Sequence, residues 1–141
     1  MEEAASRLKK KKEYSQSGFT LISVLIAVLI MGVMATVAVP KFTAALAAAN
    51  TTKIQSDLAA IDTSIALYRI DKGVSPTKME DLKDYLENYD KVQPPEGECN
   101  VQGERKDIPT GGYSISANTE GRMQAHLGQY TIYDFGGKKA S

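Results

Sequence analysis

The sequence predicts an α+β fold in which a long N-terminal transmembrane helix packs its C-terminal half on a small C-terminal antiparallel sheet. Three observations predict it. Residues 19–39 form a run of 21 positions without a charge. Ile54, Leu58, Ile61, Ile65 and Tyr68 then recur at steps of four and three, which lays one apolar stripe along a helix. In the C-terminal third the period changes to two: Tyr113, Ile115 and Ala117, then Met123, Ala125 and Leu127, then Tyr130 and Ile132 alternate with polar residues.

The uncharged run is long enough to cross a bilayer, because 21 helical residues span about 31 Å at the helical rise. Four lysines at positions 9–12 precede it. Under the positive-inside rule they stay cytoplasmic, so the orientation is N-in, C-out, and everything after Pro40 lies beyond the membrane. The small residues of Ala45-Leu46-Ala47 offer a site for an ordinary signal peptidase. Against that reading, the run is longer than the roughly 7–15 residues of a signal-peptide core.

Pro40 removes a backbone donor and favours a bend in a helix expected from Phe19 to Lys72, and Gly73 supplies its stop. Thr77 and Glu80 have the spacing of a capping box, and Met79, Leu82, Tyr85, Leu86 and Tyr89 give a short helix its apolar face. From Pro94-Pro95 to Pro109 the chain is polar and rich in breakers, which reads as loop. Short turns at residues 118–121 and 127–129 would join three strands into an antiparallel meander covering the helical stripe. The single cysteine, Cys99, is expected as a partly exposed loop thiol, and the single histidine, His126, as a solvent-facing strand residue.

Charge narrows the function classes. The chain carries 17 basic and 17 acidic residues, of which five basic and three acidic fall in the first 18, leaving twelve and fourteen for the rest. Between Glu80 and Asp107 nine acids face four bases. That balance gives no footprint for a nucleic acid, whose binding needs clustered lysine and arginine. No Cys/His cluster exists for a metal, and Glu80, Asp81, Asp84 and Glu87 read as a solvated acidic face rather than an acid and base pair. The glycine pairs at positions 111–112 and 136–137 lack the flanks of a phosphate loop. No catalytic residue, metal or cofactor is expected.

A basic leader ending in Gly18, then Phe19-Thr20-Leu21-Ile22, an unbroken apolar run with Gly32 in its middle, and Pro40 followed by Lys41-Phe42 resembles the N-terminus of type IV prepilins and type II secretion pseudopilins. The resemblance implies a pilin-like fold and three regions: a prepilin leader at 1–18, a transmembrane and assembly helix at 19–40, and an extracytoplasmic globular domain at 41–141. It implies cleavage by a prepilin peptidase between Gly18 and Phe19 and N-methylation of Phe19. It further implies an inner-membrane assembly platform and other pilin or pseudopilin subunits as partners, and lipid around the helix before assembly. Ser23, Gly32 and Pro40 are the expected assembly positions, the last two as points where the helix loosens during extraction. At Ser23 the family usually has a glutamate that pairs with a neighbour's terminal amine; serine cannot supply that charge, and its hydroxyl can bond back to the Phe19 carbonyl.

Residues 56–82 also resemble the part of major secretion pseudopilins where a helix ends in Tyr-x-x-Asp-x-Gly, here Tyr68, Asp71 and Gly73, before a loop proline. The aspartate-rich calcium loop of those proteins has no counterpart beyond Asp134 beside Gly136-Gly137. Two functions follow for test: a subunit that polymerises through its apolar helix, and a signal-anchored extracytoplasmic binding domain that never polymerises.

Overall fold

The computed structural model describes the backbone of residues 2–137 and the side chains of residues 18–137. The chain divides into two compact units, Met1–Phe42 and Thr43–Ser141. Helix α1, Glu2–Lys72, begins well before Phe19 and continues through Pro40. The earlier start follows from leader residues that are strong helix formers. Gly73 ends α1 as expected, donating its N–H to the Arg69 carbonyl at 2.9 Å from a left-handed φ of 71°.

In the second unit the apolar stripe finds its partner. Ile54, Leu58 and Ile61 are fully buried and Ile65 nearly so, packed with Leu82, Val101, Leu127 and Phe135. Tyr68 lies partly buried at the rim and meets Tyr85 edge-on. Two antiparallel hairpins cover the stripe: β1 (Glu98–Val101) with β2 (Glu104–Asp107), and β3 (Tyr113–Ala117) with β4 (Met123–Leu127). In register, Cys99 lies opposite Lys106 and Ile115 opposite Ala125.

Six expectations are corrected. The first hairpin lies where a loop was expected. Gln102 and Gly103 both take positive φ, 53° and 82°, the two-residue turn whose twist matches paired strands. Cys99 is therefore a fully buried strand residue, and burial pushes its thiol pKa up. The third strand does not form: Leu127 and Tyr130 exchange N–H···O bonds across a tight turn, and the chain then enters a 3-10 turn at Ile132–Asp134. Phe135 pairs instead with Val101, tying the tail to the first hairpin.

The short helix is replaced by 3-10 turns at Met79–Leu82 and Tyr89–Lys91. Asp81, not Glu80, caps the first: its carboxylate accepts from the backbone of Thr77 at 2.8 Å and of Lys78 at 3.0 Å. These bonds hold the Asp81 pKa down. Downstream, the Ser64 hydroxyl donates to the Tyr85 carbonyl at 3.1 Å, and Asn88 sits in a left-handed conformation that a continuing helix excludes. The apolar set still packs inward, with Leu82 and Leu86 buried. Finally, His126 is half-buried rather than solvent-facing, its Nε2 without a partner among the described residues.

The helix also grips the hairpins through polar side chains beside the stripe. Asn50 donates to the Glu98 carbonyl at 2.9 Å, and Thr51 accepts from the Asn100 N–H at 2.8 Å. Gln55 donates to the Phe135 carbonyl at 2.7 Å, and Asp57 accepts from the Tyr113 hydroxyl at 2.7 Å. Asp62 accepts from the Ala125 N–H at 2.8 Å. All but the exposed Asn50 bond satisfy groups that partial burial would otherwise leave short of water, a loss of about 1–3 kcal/mol apiece.

Candidate functional site

The segment with no partner in the fold is the uncharged part of α1. Its large apolar side chains between Phe19 and Val39 are 49% to 76% exposed, Ile30 least and Phe19 most. Within Gly18–Lys72 the helix is long and apolar enough to cross a membrane, and its most apolar stretch is wholly unburied. An apolar face this long belongs in lipid or against other apolar helices.

The site residues expected from sequence lie in order along this helix. Gly18 and Phe19 adjoin at the start of the described side chains; the lysines at 9–12 lie outside those side chains. Ser23 donates its hydroxyl to the Phe19 carbonyl at 2.8 Å, one turn back. Its polar group is thus satisfied locally, which suits an apolar environment and leaves no charge to offer a neighbour. Thr36 does the same toward Val33 at 2.7 Å. A Cβ on Gly18 or Gly32 would meet nothing within 4 Å, so the fold of this chain does not demand glycine at either place. Gly32 and Pro40 follow nine and seventeen residues beyond Ser23 along α1.

The rest of the surface holds no assembled reaction centre among the described residues. A groove of about 650 Å³ runs between α1 and residues 85–92, and two of its polar residues are already engaged: Asp57 with Tyr113 and Lys53, Ser64 with the Tyr85 carbonyl. Asp71 accepts from the Tyr85 hydroxyl, and this bond, ahead of burial, pushes the Tyr85 pKa up to about 12. No three His, Cys, Asp or Glu side chains among the described residues converge as a metal set. At the position of the family's calcium loop, both Asp134 oxygens face donors: Thr131 N–H at 2.8 Å, its hydroxyl at 3.0 Å and Gln102 Nε2 at 2.9 Å. One carboxylate ringed by N–H and O–H groups does not fit a calcium ion.

The prokaryotic N-terminal methylation motif matches residues 14–39, which include the stretch 19–39 that the fold leaves uncovered. This motif and the relatives that follow support the type IV pilin and type II secretion pseudopilin family. Curated relatives named type II secretion system core protein G include those of Klebsiella michiganensis, 31% identical over 72 residues and 51% of each chain, and Vibrio cholerae, 33% identical over 73 residues, 52% of this chain and 50% of the relative. That of Klebsiella pneumoniae is 30% identical over 98 residues, 70% of this chain and 63% of the relative. The chain spans about half the length of the first two. No solved structure matches it. Family members of this kind are structural subunits, and the helix-on-hairpins unit described above is the pilin-like arrangement.

The helix residues that hold the hairpins, Asn50, Thr51, Gln55, Asp57 and Asp62, were not legible as a group. Their only signal is that they flank the stripe on both sides.

Proposed function

We propose that this chain is a structural subunit of a type II secretion pseudopilus or a related type IV filament. It is held in the inner membrane as a single-pass, N-in precursor, cut by prepilin peptidase between Gly18 and Phe19, N-methylated on Phe19 and passed through an assembly platform into a polymer. The observation that carries this reading is the contrast between a fully exposed 21-residue apolar helix and a second unit whose core is already closed. Burying each large apolar side chain is worth about 1.5–3 kcal/mol, so the segment demands lipid or neighbouring helices. Both environments are apolar, so moving from lipid to a filament core exchanges one for the other without exposing the helix to water.

Glycine before the scissile bond leaves the peptidase an unobstructed backbone, since no side chain projects there and none is required by packing. Gly18→Leu is expected to remain in the membrane as the full 141-residue chain and to be absent from purified filaments. Equal mature chain from wild type and variant would overturn the processing step.

The Ser23–Phe19 hydrogen bond bears on where the subunit sits. A subunit with no carboxylate at this position cannot neutralise the terminal amine of the subunit beside it, and an uncompensated charge in an apolar core costs at least a few kcal/mol. Two places follow: a principal subunit that compensates the amine in another way, which the likeness of residues 56–82 to major pseudopilins supports, or a minor subunit at the filament end, where that cost does not arise. Copy number in purified filaments decides between them: abundance equal to the principal subunit rejects the end position, and a few copies per filament reject the principal one.

A further inference from the structure

At the far end of α1 two arginines from distant parts of the chain line one small pocket of about 200 Å³. Arg69 sits on the last helical turn and Arg122 closes the β3–β4 turn, with Ser75, Glu120 and Gly121 completing the wall. Both are held from behind. The Arg69 carbonyl is capped by Gly73, and the Asn118 side chain accepts from the N–H groups of Glu120 at 3.0 Å and Arg122 at 2.9 Å. Neither guanidinium forms an ion pair among the described residues, although Lys53, Lys72, Arg105 and Lys106 all do. Glu120, on the rim, pairs with neither. Two arginines thus share a pocket with a hydroxyl and one carboxylate that pairs with neither of them, beside two apolar side chains in water, Ile70 at 82% and Val74 at 61% exposed.

Elsewhere on the same unit the charge is opposite. Glu80, Asp84, Glu87 and Asp90 are exposed and form no ion pair among the described residues, whereas the neighbouring Asp81 is engaged in its cap. Glu80 and Asp90 act on one ring: after burial, their charges push the Tyr89 pKa up. Within one chain these carboxylates do not reach the arginines.

We propose that the Arg69–Ser75–Arg122 pocket receives an exposed carboxylate of the 80–90 segment from a second copy of this chain. Two guanidiniums grip a carboxylate through paired N–H···O bonds, and the contact covers Ile70 and Val74. In a head-to-tail contact an assembly of any length keeps one free pocket and one free acidic segment, so the series can extend, whereas a reciprocal pair would stop at a dimer. This rests on the filament reading, in which membrane-anchored copies share one orientation.

Disulfide trapping of full-length chain in membranes tests it, with Arg122→Cys combined with Asp84→Cys, and separately with Glu87→Cys. The native Cys99 is buried and stays silent. Mild oxidation is expected to give a ladder of dimers, trimers and longer products with at least one pair, and no ladder from single cysteines. A dimer band alone, or no product from either pair, would overturn the contact. A ladder in cells that make no filaments would keep the contact and reject the filament reading; filaments without a ladder would do the reverse. In filament-forming cells, Arg69→Glu with Arg122→Glu is expected to lower filament yield by about tenfold or more, with Asp84→Lys and Glu87→Lys in the same chain restoring it. Unchanged yield from the arginine pair, or no restoration in a variant that melts like wild type, would reject the proposal.

Discussion

Residues 19–39 and residues 54–68 are both apolar and both helical, yet one is wholly exposed and the other presents a stripe that is buried up to Tyr68 at its rim. Polar residues make the difference. In 54–68 the apolar positions recur every three or four residues and hydrogen-bonding groups stand between them, so one face goes to the hairpins while Gln55, Asp57 and Asp62 tie down strand edges and tail. In 19–39 apolar residues occupy every face, and the hydroxyls of Ser23 and Thr36 bond to the helix's own backbone. A helix apolar all round has no side to give to water and takes its partners from outside the chain.

The sharpest way to break this comparison is to place one charge in each region. Ile61→Asp buries an unpaired carboxylate in the covered stripe and is expected to unfold the second unit, a loss of about 4 kcal/mol or more. Ile26→Asp is expected to leave that unit intact and to impair membrane insertion instead. Reactivity of the buried Cys99 reports both: rapid labelling in Ile61→Asp, protection in Ile26→Asp.

Asp62→Ala comes next. It strips the Ala125 N–H of its acceptor and should cost about 1–3 kcal/mol, while Asp62→Asn, which keeps an oxygen, should cost less. Burial, opposed by the Ala125 bond and by His126, raises the Asp62 pKa above 3.8. Because the folded value is the higher one, this group's contribution is fully present below the unfolded pKa and fades as pH rises through the folded pKa. Asp81 runs the other way: its lowered pKa stabilises the cap above the usual carboxylate value and is lost as pH falls through the folded one. Melting curves across the acid range should lose the first dependence in Asp62→Asn and the second in Asp81→Asn. The smallest effect belongs to Gly32→Ala. Its Cβ meets nothing, so melting of the second unit should not move, and any change should appear only in assembly.

Much of this was legible in the sequence because it repeats. The stripe at 54, 58, 61, 65 and 68, the helix stop at Gly73 and the β3–β4 alternation each rest on several residues obeying one period. The first hairpin escaped because β2 reads Glu-Arg-Lys-Asp, an exposed strand with no apolar alternation. The Gln-Gly pair at 102–103 was the available signal. The short helix misled for the opposite reason: its apolar residues do face the core, but Asp81, Ser64 and Asn88 redirect the backbone through bonds and conformations that periodicity cannot register. At the candidate site, Ser23's bond to Phe19 was foreseeable from a helical turn of spacing, whereas the Arg69 and Arg122 pocket joins residues that only the fold brings together.

The exposed helix earns its place in the account only if the chain is cut at its start, so the mass of the mature N-terminus is the most direct measurement. Intact-mass and N-terminal peptide analysis of the protein from membranes should find a chain beginning at Phe19 and heavier by one methyl group. A chain that still begins at Met1, or one cut within residues 44–50, would contradict the account.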